Sequence, residues 1–193
     1  MSKMKKKWYA NSSFYRNFDW KVLLSMTALF TSLSALYVSY RQLKIASEEQ
    51  QAAVFPYLTC SYNDDNHFIE FNIKNDGLGP AFISGVEVRV QDSVYDSFWR
   101  PVVNFLKKQE NADTVKFTKG ELLPGWVVRT GDPYMIFRME RMPERMVDAF
   151  WTYYSSMRAK IWYYDIYSQC WMFDTKKIRV ERCKTCPNDV LKR

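Results

Sequence analysis

The sequence predicts a mainly β protein carried on one long N-terminal transmembrane helix. The β part is expected to be an antiparallel, immunoglobulin-like β-sandwich with one or two helical insertions. Three observations predict this class. Residues 22–40 (VLLSMTALFTSLSALYVSY) run for nineteen positions without a charge, a Pro or a Gly. From Val54 onward the pattern changes to short alternating runs separated by clusters of Asn, Asp, Gly and Pro, the mark of strands and turns. Hydrophobic residues make up 47% of the 193 and aromatics 17%, enough for the residues after the helix to close a core.

At a rise of about 1.5 Å per residue, a helix over 22–40 matches a hydrocarbon core of about 30 Å. Trp20, Tyr37 and Tyr40 lie near its ends, where amphipathic rings favour the interface, and Lys21 and Arg41 bracket it. A signal peptide has a shorter apolar region and a small-residue cleavage site, which Arg41-Gln42-Leu43-Lys44-Ile45 does not offer. A buried core helix rarely goes this far without a charge. The segment therefore reads as a retained signal anchor. Residues 1–21 carry six basic residues against Asp19 alone, whereas the next stretch after Tyr40 balances Arg41 and Lys44 with Glu48 and Glu49. That bias places the N-terminus in the cytoplasm and the rest of the chain across the membrane. Lys5-Lys6-Lys7 then reads as a membrane-surface anchor. Most of the net charge of +7 sits in this tail, which argues against a nucleic-acid partner.

Asp19 is placed to cap the helix, and Gln42–Ala53 continues it as a short stalk until Pro56 bars the way. Four regions follow: a basic tail over 1–19, helix and stalk over 20–53, the β domain over 54–182, and a polar tail over 183–193. Ser25, Ala28, Ser32, Ala35 and Ser39 recur at alternating spacings of three and four, a stripe of small residues suited to close helix–helix approach and hence to a homo-oligomer.

Phe55–Cys60 enters a first strand, and Asn63-Asp64-Asp65-Asn66 reads as a turn cluster. His67–Lys74 alternates with Ile69, Phe71 and Ile73 on one face. Asn75-Asp76-Gly77-Leu78-Gly79-Pro80-Ala81 is a turn whose two glycines permit positive φ. Val86, Val88 and Val90 point one way, Glu87 and Arg89 the other. Tyr95–Lys108 reads as a short helix or a loop excursion, Val115–Phe117 as a strand, Leu123-Pro124-Gly125 as a turn, and Tyr134–Arg138 as a strand. Pro143–Ser155 reads as a helix. A final hairpin runs from Ala159–Tyr167 through Ser168-Gln169 to Cys170–Phe173.

Three of these blocks, Phe55-Pro56-Tyr57-Leu58, Asn75–Ala81 and Tyr163–Trp171, together resemble a group of bacterial single-pass membrane proteins with no assigned activity. Members have an N-x-G-x-G-P-A turn and a late hairpin of the type Y-x-D-x-Y-G-x-x-W, where this chain has Ser168 in place of the Gly. The resemblance spans roughly residues 20–190 and implies an immunoglobulin-like or related sandwich on a membrane tether, with no enzyme activity.

No catalytic signature stands beside it. The one His, His67, follows a polar turn and reads as exposed, and the Asp64–His67 cluster reads as a turn before a cation site. Cys183-Lys184-Thr185-Cys186 has knuckle spacing but lacks the further ligands of a structural zinc site, so no metal or cofactor is expected. The four cysteines read as isolated thiols or structural disulfides of open connectivity. Asp165, between Tyr164 and Ile166, is either a buried functional acid or a backbone-bonding turn residue; the second reading is the commoner one. Trp162 and Trp171 are expected in the core, whereas Trp99 and Trp126 lie in presumed loops and are the candidate partner-contacting surface. The expected function is a non-enzymatic binding or scaffold protein anchored in a bacterial inner membrane, its soluble domain in the periplasm and recognising a protein or small ligand. The alternative is a membrane effector whose helices oligomerise and perturb the bilayer on a signal to the soluble domain.

Overall fold

The computed structural model describes residues 19–65, 68–110 and 112–187. The expectations for the basic tail at 1–18 and for His67 lie outside these residues. The chain divides into two units, Met1–Glu48 and Glu49–Arg193.

Helix α1 spans Trp20–Ala53 and is long and apolar enough over part of its length to cross a membrane. Asp19 caps it: its carbonyl accepts from Val22 N–H at 2.9 Å and its carboxylate from Lys21 N–H at 3.3 Å. Its residues are exposed along its whole length. The hydroxyls of Ser25 and Ser32 donate to the carbonyls of Val22 and Ala28, each at 2.8 Å, so they ask nothing of their surroundings.

The remainder is mixed α/β, with two antiparallel sheets. The strands are β1 (Leu58–Asp65), β2 (Phe68–Asn75), β3 (Ala81–Val90), β4 (Ser93–Tyr95), β5 (Lys116–Lys119), β6 (Val127–Val128), β7 (Pro133–Glu140), β8 (Met157–Tyr164), β9 (Cys170–Asp174) and β10 (Arg179–Arg182). Helix α2 (Trp99–Leu106) follows β4, and α3 (Glu144–Ser155) joins β7 to β8. The first sheet has the order β1-β2-β7-β5; the second runs β10-β9-β8-β3-β4, with β6 paired to β3. Both sheets feed one apolar cluster. Ile69, Phe71, Ile73, Phe137 and Met139 enter it from the first, Ile83, Val88, Ile161, Tyr163 and Phe173 from the second, and Val102, Met146 and Phe150 from the two helices.

Several expectations change. Asn63, Asp64 and Asp65 are not a turn but the end of β1, paired to Glu70, Ile69 and Phe68. Ladder pairing overrides their turn preference, and Trp151 Nε1 donates to Asp64 at 2.9 Å. Strand β3 begins earlier than its valines suggest. Its register with β8 slips between Ile83 and Gly85, so Ser84 is an extra residue. That bulge keeps Ala81 and Ile83 facing the core on one side of it and Val88 and Val90 on the other. Gly77 and Gly79 are not at positive φ; Gly125 and Gly131 are. Strand β10, hidden in a charged stretch, pairs Arg182 with Trp171 at one end and Arg179 with Asp174 at the other.

Residues 183–187 are held to the fold. Cys170 and Cys186 form a disulfide with their Cα atoms 5.6 Å apart. With Tyr164 they make a second buried cluster, against which Phe82, Trp162 and Cys183 pack. Tyr163 and Ile161 of β8 face the main core, so the alternating Trp162 and Tyr164 face away from it, under this C-terminal segment.

Candidate binding surface

Trp99 opens α2; it does not lie in a loop, because apolar residues at helical spacing (Val102, Phe105, Leu106) draw the segment onto the core. Its ring is half-buried, with Lys119 Nζ 4.4 Å and the Arg100 guanidinium 5.7 Å from its centroid. A small hollow beside it is lined by Asp96, Ser97, Arg100, Glu121, Leu122 and Leu123. Trp126 follows the Leu123–Gly125 turn and is 43% exposed, between Leu123 at 44% and Val127 at 45%. The turn is pinned to β3: Gly125 N–H donates to Ile83 O, and Ile83 N–H returns to Trp126 O, both at 2.8 Å. Gly125, at φ 89°, supplies a conformation that side chains resist.

Two tryptophans 27 positions apart thus border the same segment. Trp99 shares its hollow with Glu121–Leu123. Trp126 meets the Tyr134 ring edge-on at 5.5 Å, and the Tyr134 hydroxyl donates to Glu121 O at 2.7 Å. Burial pushes that phenol above its ordinary value, so it stays a donor at any ordinary pH. The segment Glu121–Val127 therefore presents three exposed apolar side chains on a backbone fixed at both ends. A broader open groove lies among β3, β4, α2 and α3, walled by Tyr95, Asn104, Phe105 and Tyr153 and including Lys107 and Lys108. It is open to solvent, and its lining mixes the apolar Val90, Phe105 and Ala149 with polar side chains.

The other singled-out residues do structural work. Asp165 organises the β8–β9 turn. Its Oδ1 accepts from Tyr167 and Gln169 N–H at 2.8 and 2.9 Å, and its Oδ2 from Trp171 Nε1 at 3.0 Å. Trp171 is half-buried, set edge-on to Phe55 at 4.6 Å, and Trp162 is half-buried on the outer face. Trp171 faces inward and packs at the margin of the main core, whereas Trp162 is turned away from that core, where the C-terminal segment covers the outer face of the second sheet. Among the described residues no group of His, Cys, Asp and Glu has the makings of a metal site.

The Asn75–Ala81 block is a clasp. Asn75 is fully buried; its Oδ1 accepts from Tyr57 and Gly77 N–H at 3.1 Å, and its Nδ2 donates to Gly79 O at 2.7 Å and Val128 O at 3.1 Å. A Cβ on Gly77 would collide with Phe55 O and Tyr57 N, and one on Gly79 with Val54 O. Leu78 N–H donates to Phe55 O at 3.0 Å, and the Tyr163 hydroxyl to Pro56 O at 3.2 Å. The segment Val54–Tyr57, immediately after α1, is thus held on every side by blocks far away in sequence. Glycine is required here for close approach of two backbones. That explains why the Phe-Pro-Tyr and Asn-x-Gly-x-Gly-Pro blocks occur in one chain.

Residues 22–178, which take in α1 from its third residue, the clasp and β1 to β9, match a domain of unknown function, DUF8453. The chain belongs to this family. No curated protein matches it. The match takes in Cys170 and stops short of Cys183 and Cys186.

One further pair tightens the outer face. Arg158 makes an ion pair with the buried Asp174, whose carboxylate also accepts from Lys176 N–H at 3.1 Å. Burial works against the Asp174 charge, but the Arg158 guanidinium and the backbone N–H groups outweigh it and hold its carboxyl below the usual carboxylate range.

Proposed function

We propose that this DUF8453 protein is a single-pass membrane protein with a cytoplasmic N-terminus, whose periplasmic domain is an immunoglobulin-like sandwich that binds a protein partner without catalysis. What supports the sandwich is the passage of the chain between two antiparallel sheets that share one core. What supports export is the basic bias of residues 1–21 together with the Cys170–Cys186 bond, which persists in oxidising compartments. The observation that carries binding is the exposed row Leu123, Trp126 and Val127 on a pinned turn beside Trp99. Rigid aromatic anchors of this kind give large contact area at low entropic cost.

A photo-crosslinking residue in place of Trp126, in the full chain in its own membrane, should trap a discrete partner. The same residue in place of the exposed Val94 should not. Trp126→Ala should abolish co-purification of that partner while shifting the melting temperature little. Equal crosslinking from both positions would overturn the assignment of this surface.

The small-residue face of α1 favours a second reading, a membrane effector. Ser25 and Ser32 satisfy their hydroxyls within the helix, leaving Ala28, Ser32 and Ala35 free to admit another helix. In that case the purified protein leaks dye from liposomes, and replacing Ala28, Ser32 and Ala35 by Leu stops the leak. Intact liposomes under every condition that supports partner binding would leave only the first reading.

A further inference from the structure

Cys170 has two cysteine neighbours. One is Cys186, its disulfide partner. The other follows from register. The β9–β10 ladder pairs Trp171 with Arg182 and continues one step further, where Cys183 N–H donates to Cys170 O at 2.9 Å. Cys183 and Cys170 therefore stand directly opposite each other on antiparallel neighbours, and side chains at opposed positions point to the same face. Cys183 packs against the cluster of Tyr164, Cys170 and Cys186 and keeps a free, partly buried thiol. Opposed Cα atoms at a hydrogen-bonded place in such a ladder are roughly 5.5 Å apart, inside the window of about 4.4–6.8 Å that a disulfide accepts, and their Cβ atoms have to close by roughly 1 Å, a movement for the last residue of the ladder alone. Cys170 is within bonding reach of either partner.

We propose that Cys170, Cys183 and Cys186 form a thiol–disulfide exchange site in which Cys170 passes between Cys186 and Cys183. The Cys183 thiolate attacks Cys170 Sγ. The Cys170–Cys183 bond forms, the Cys170–Cys186 bond breaks, and Cys186 leaves as a thiolate that takes up the proton Cys183 gave up. One disulfide and one thiol are present before and after, so the step needs no outside oxidant or reductant.

What changes is which segment is pinned. The Cys170–Cys186 bond ties down the residues after β10. A Cys170–Cys183 bond would only staple a ladder end that is already hydrogen-bonded. Lys184–Pro187 would then be held by lesser contacts, chiefly the Ser84 hydroxyl donating to Pro187 O at the β3 bulge. Releasing it bares Phe82, Trp162 and Tyr164 on the outer face and frees the Cys186 thiol for a partner's disulfide. Burial and the nearby Glu181 push the Cys183 thiol up, with Lys160 opposing them, so exchange belongs to the slow, minutes-to-hours class of uncatalysed rearrangements.

The test uses the oxidised full chain in detergent, incubated at mildly alkaline pH, quenched in acid, alkylated and digested with trypsin. Cleavage after Arg182 and Lys184 puts Cys183 and Cys186 on different peptides, so mass alone tells the two linkages apart. Wild type should yield both linked peptides, Cys183→Ser only the Cys186-linked one, and Cys186→Ser only the Cys183-linked one. Cys60 should stay alkylated throughout. Two results would overturn the proposal. One is a wild type that gives only the Cys186 linkage however long it is incubated. The other is a Cys170–Cys60 linkage in comparable yield, which would mean general scrambling and no defined site.

Discussion

Ser168 sits at φ 59°, in the left-handed region that costs an L residue about 1–2 kcal/mol. It is held there by the Asp165 turn, since Ser168 N–H donates to Asp165 O at 3.1 Å and Asp165 N–H to Gln169 O at 3.1 Å. Three N–H groups on the Asp165 carboxylate outweigh the strain at its neighbour. The resembling hairpins carry Gly at this place, and the backbone geometry gives the reason. Ser168→Gly should raise stability by a net 0.5–1 kcal/mol or so, the relief of strain being offset in part by the greater freedom of Gly in the unfolded chain. For a domain of this size that is a rise of about 2–4 °C in melting temperature. A fall in melting temperature would mean that the Ser168 side chain itself contributes more than the strain costs.

Between elements, the Asn75–Ala81 clasp is the joint with the least tolerance. Gly79→Ala sets a methyl against the Val54 carbonyl, and neither backbone has room to give, because Asn75 Nδ2 fixes Gly79 O at 2.7 Å. The loss expected is about 2–4 kcal/mol, in the upper range for a point change. The added methyl at Gly125, with nothing within 4 Å, meets only its own φ of 89° and should cost about 1–2 kcal/mol. Denaturant midpoints for the two variants give the comparison, and an equal loss at both would mean that the clasp is slack. These elements also mark how far the fold is legible in sequence. Alternation foretells the apolar face of β2, and spacing by four that of α3, because each turns its apolar side chains to the core. Asn63–Asp65 misleads because the partner strand, not local preference, sets its conformation. The β3 bulge is invisible to a period-2 reading, since one extra residue exchanges the faces. Of the candidate site, Trp126 is readable from its turn, whereas the link from Trp126 through Tyr134 to Glu121 and the Trp99 hollow depends on the pairing of β5 with β7 and of β6 with β3, which no local pattern encodes.

For the whole molecule, the lysine bias and the disulfide make the same demand from opposite ends of the chain. Residues 1–21 favour a cytoplasmic N-terminus. The Cys170–Cys186 bond closes a loop of 16 residues, which stabilises the domain by about 3 kcal/mol, and it forms only if that domain leaves the reducing cytosol. A reporter that works only after export, fused behind Arg193, should therefore be active. Reversing the charge at Lys3, Lys5, Lys6 and Lys7 should lower its activity by removing the bias. In the same cells a membrane-impermeant thiol reagent should reach Cys170, which stays in a disulfide with either partner, only after reductant is added, and the domain freed of its disulfide should melt earlier by several degrees. A reporter active only in the cytoplasm would place all four cysteines in a reducing compartment. The outer face of the second sheet would then be covered by a segment that nothing covalent retains.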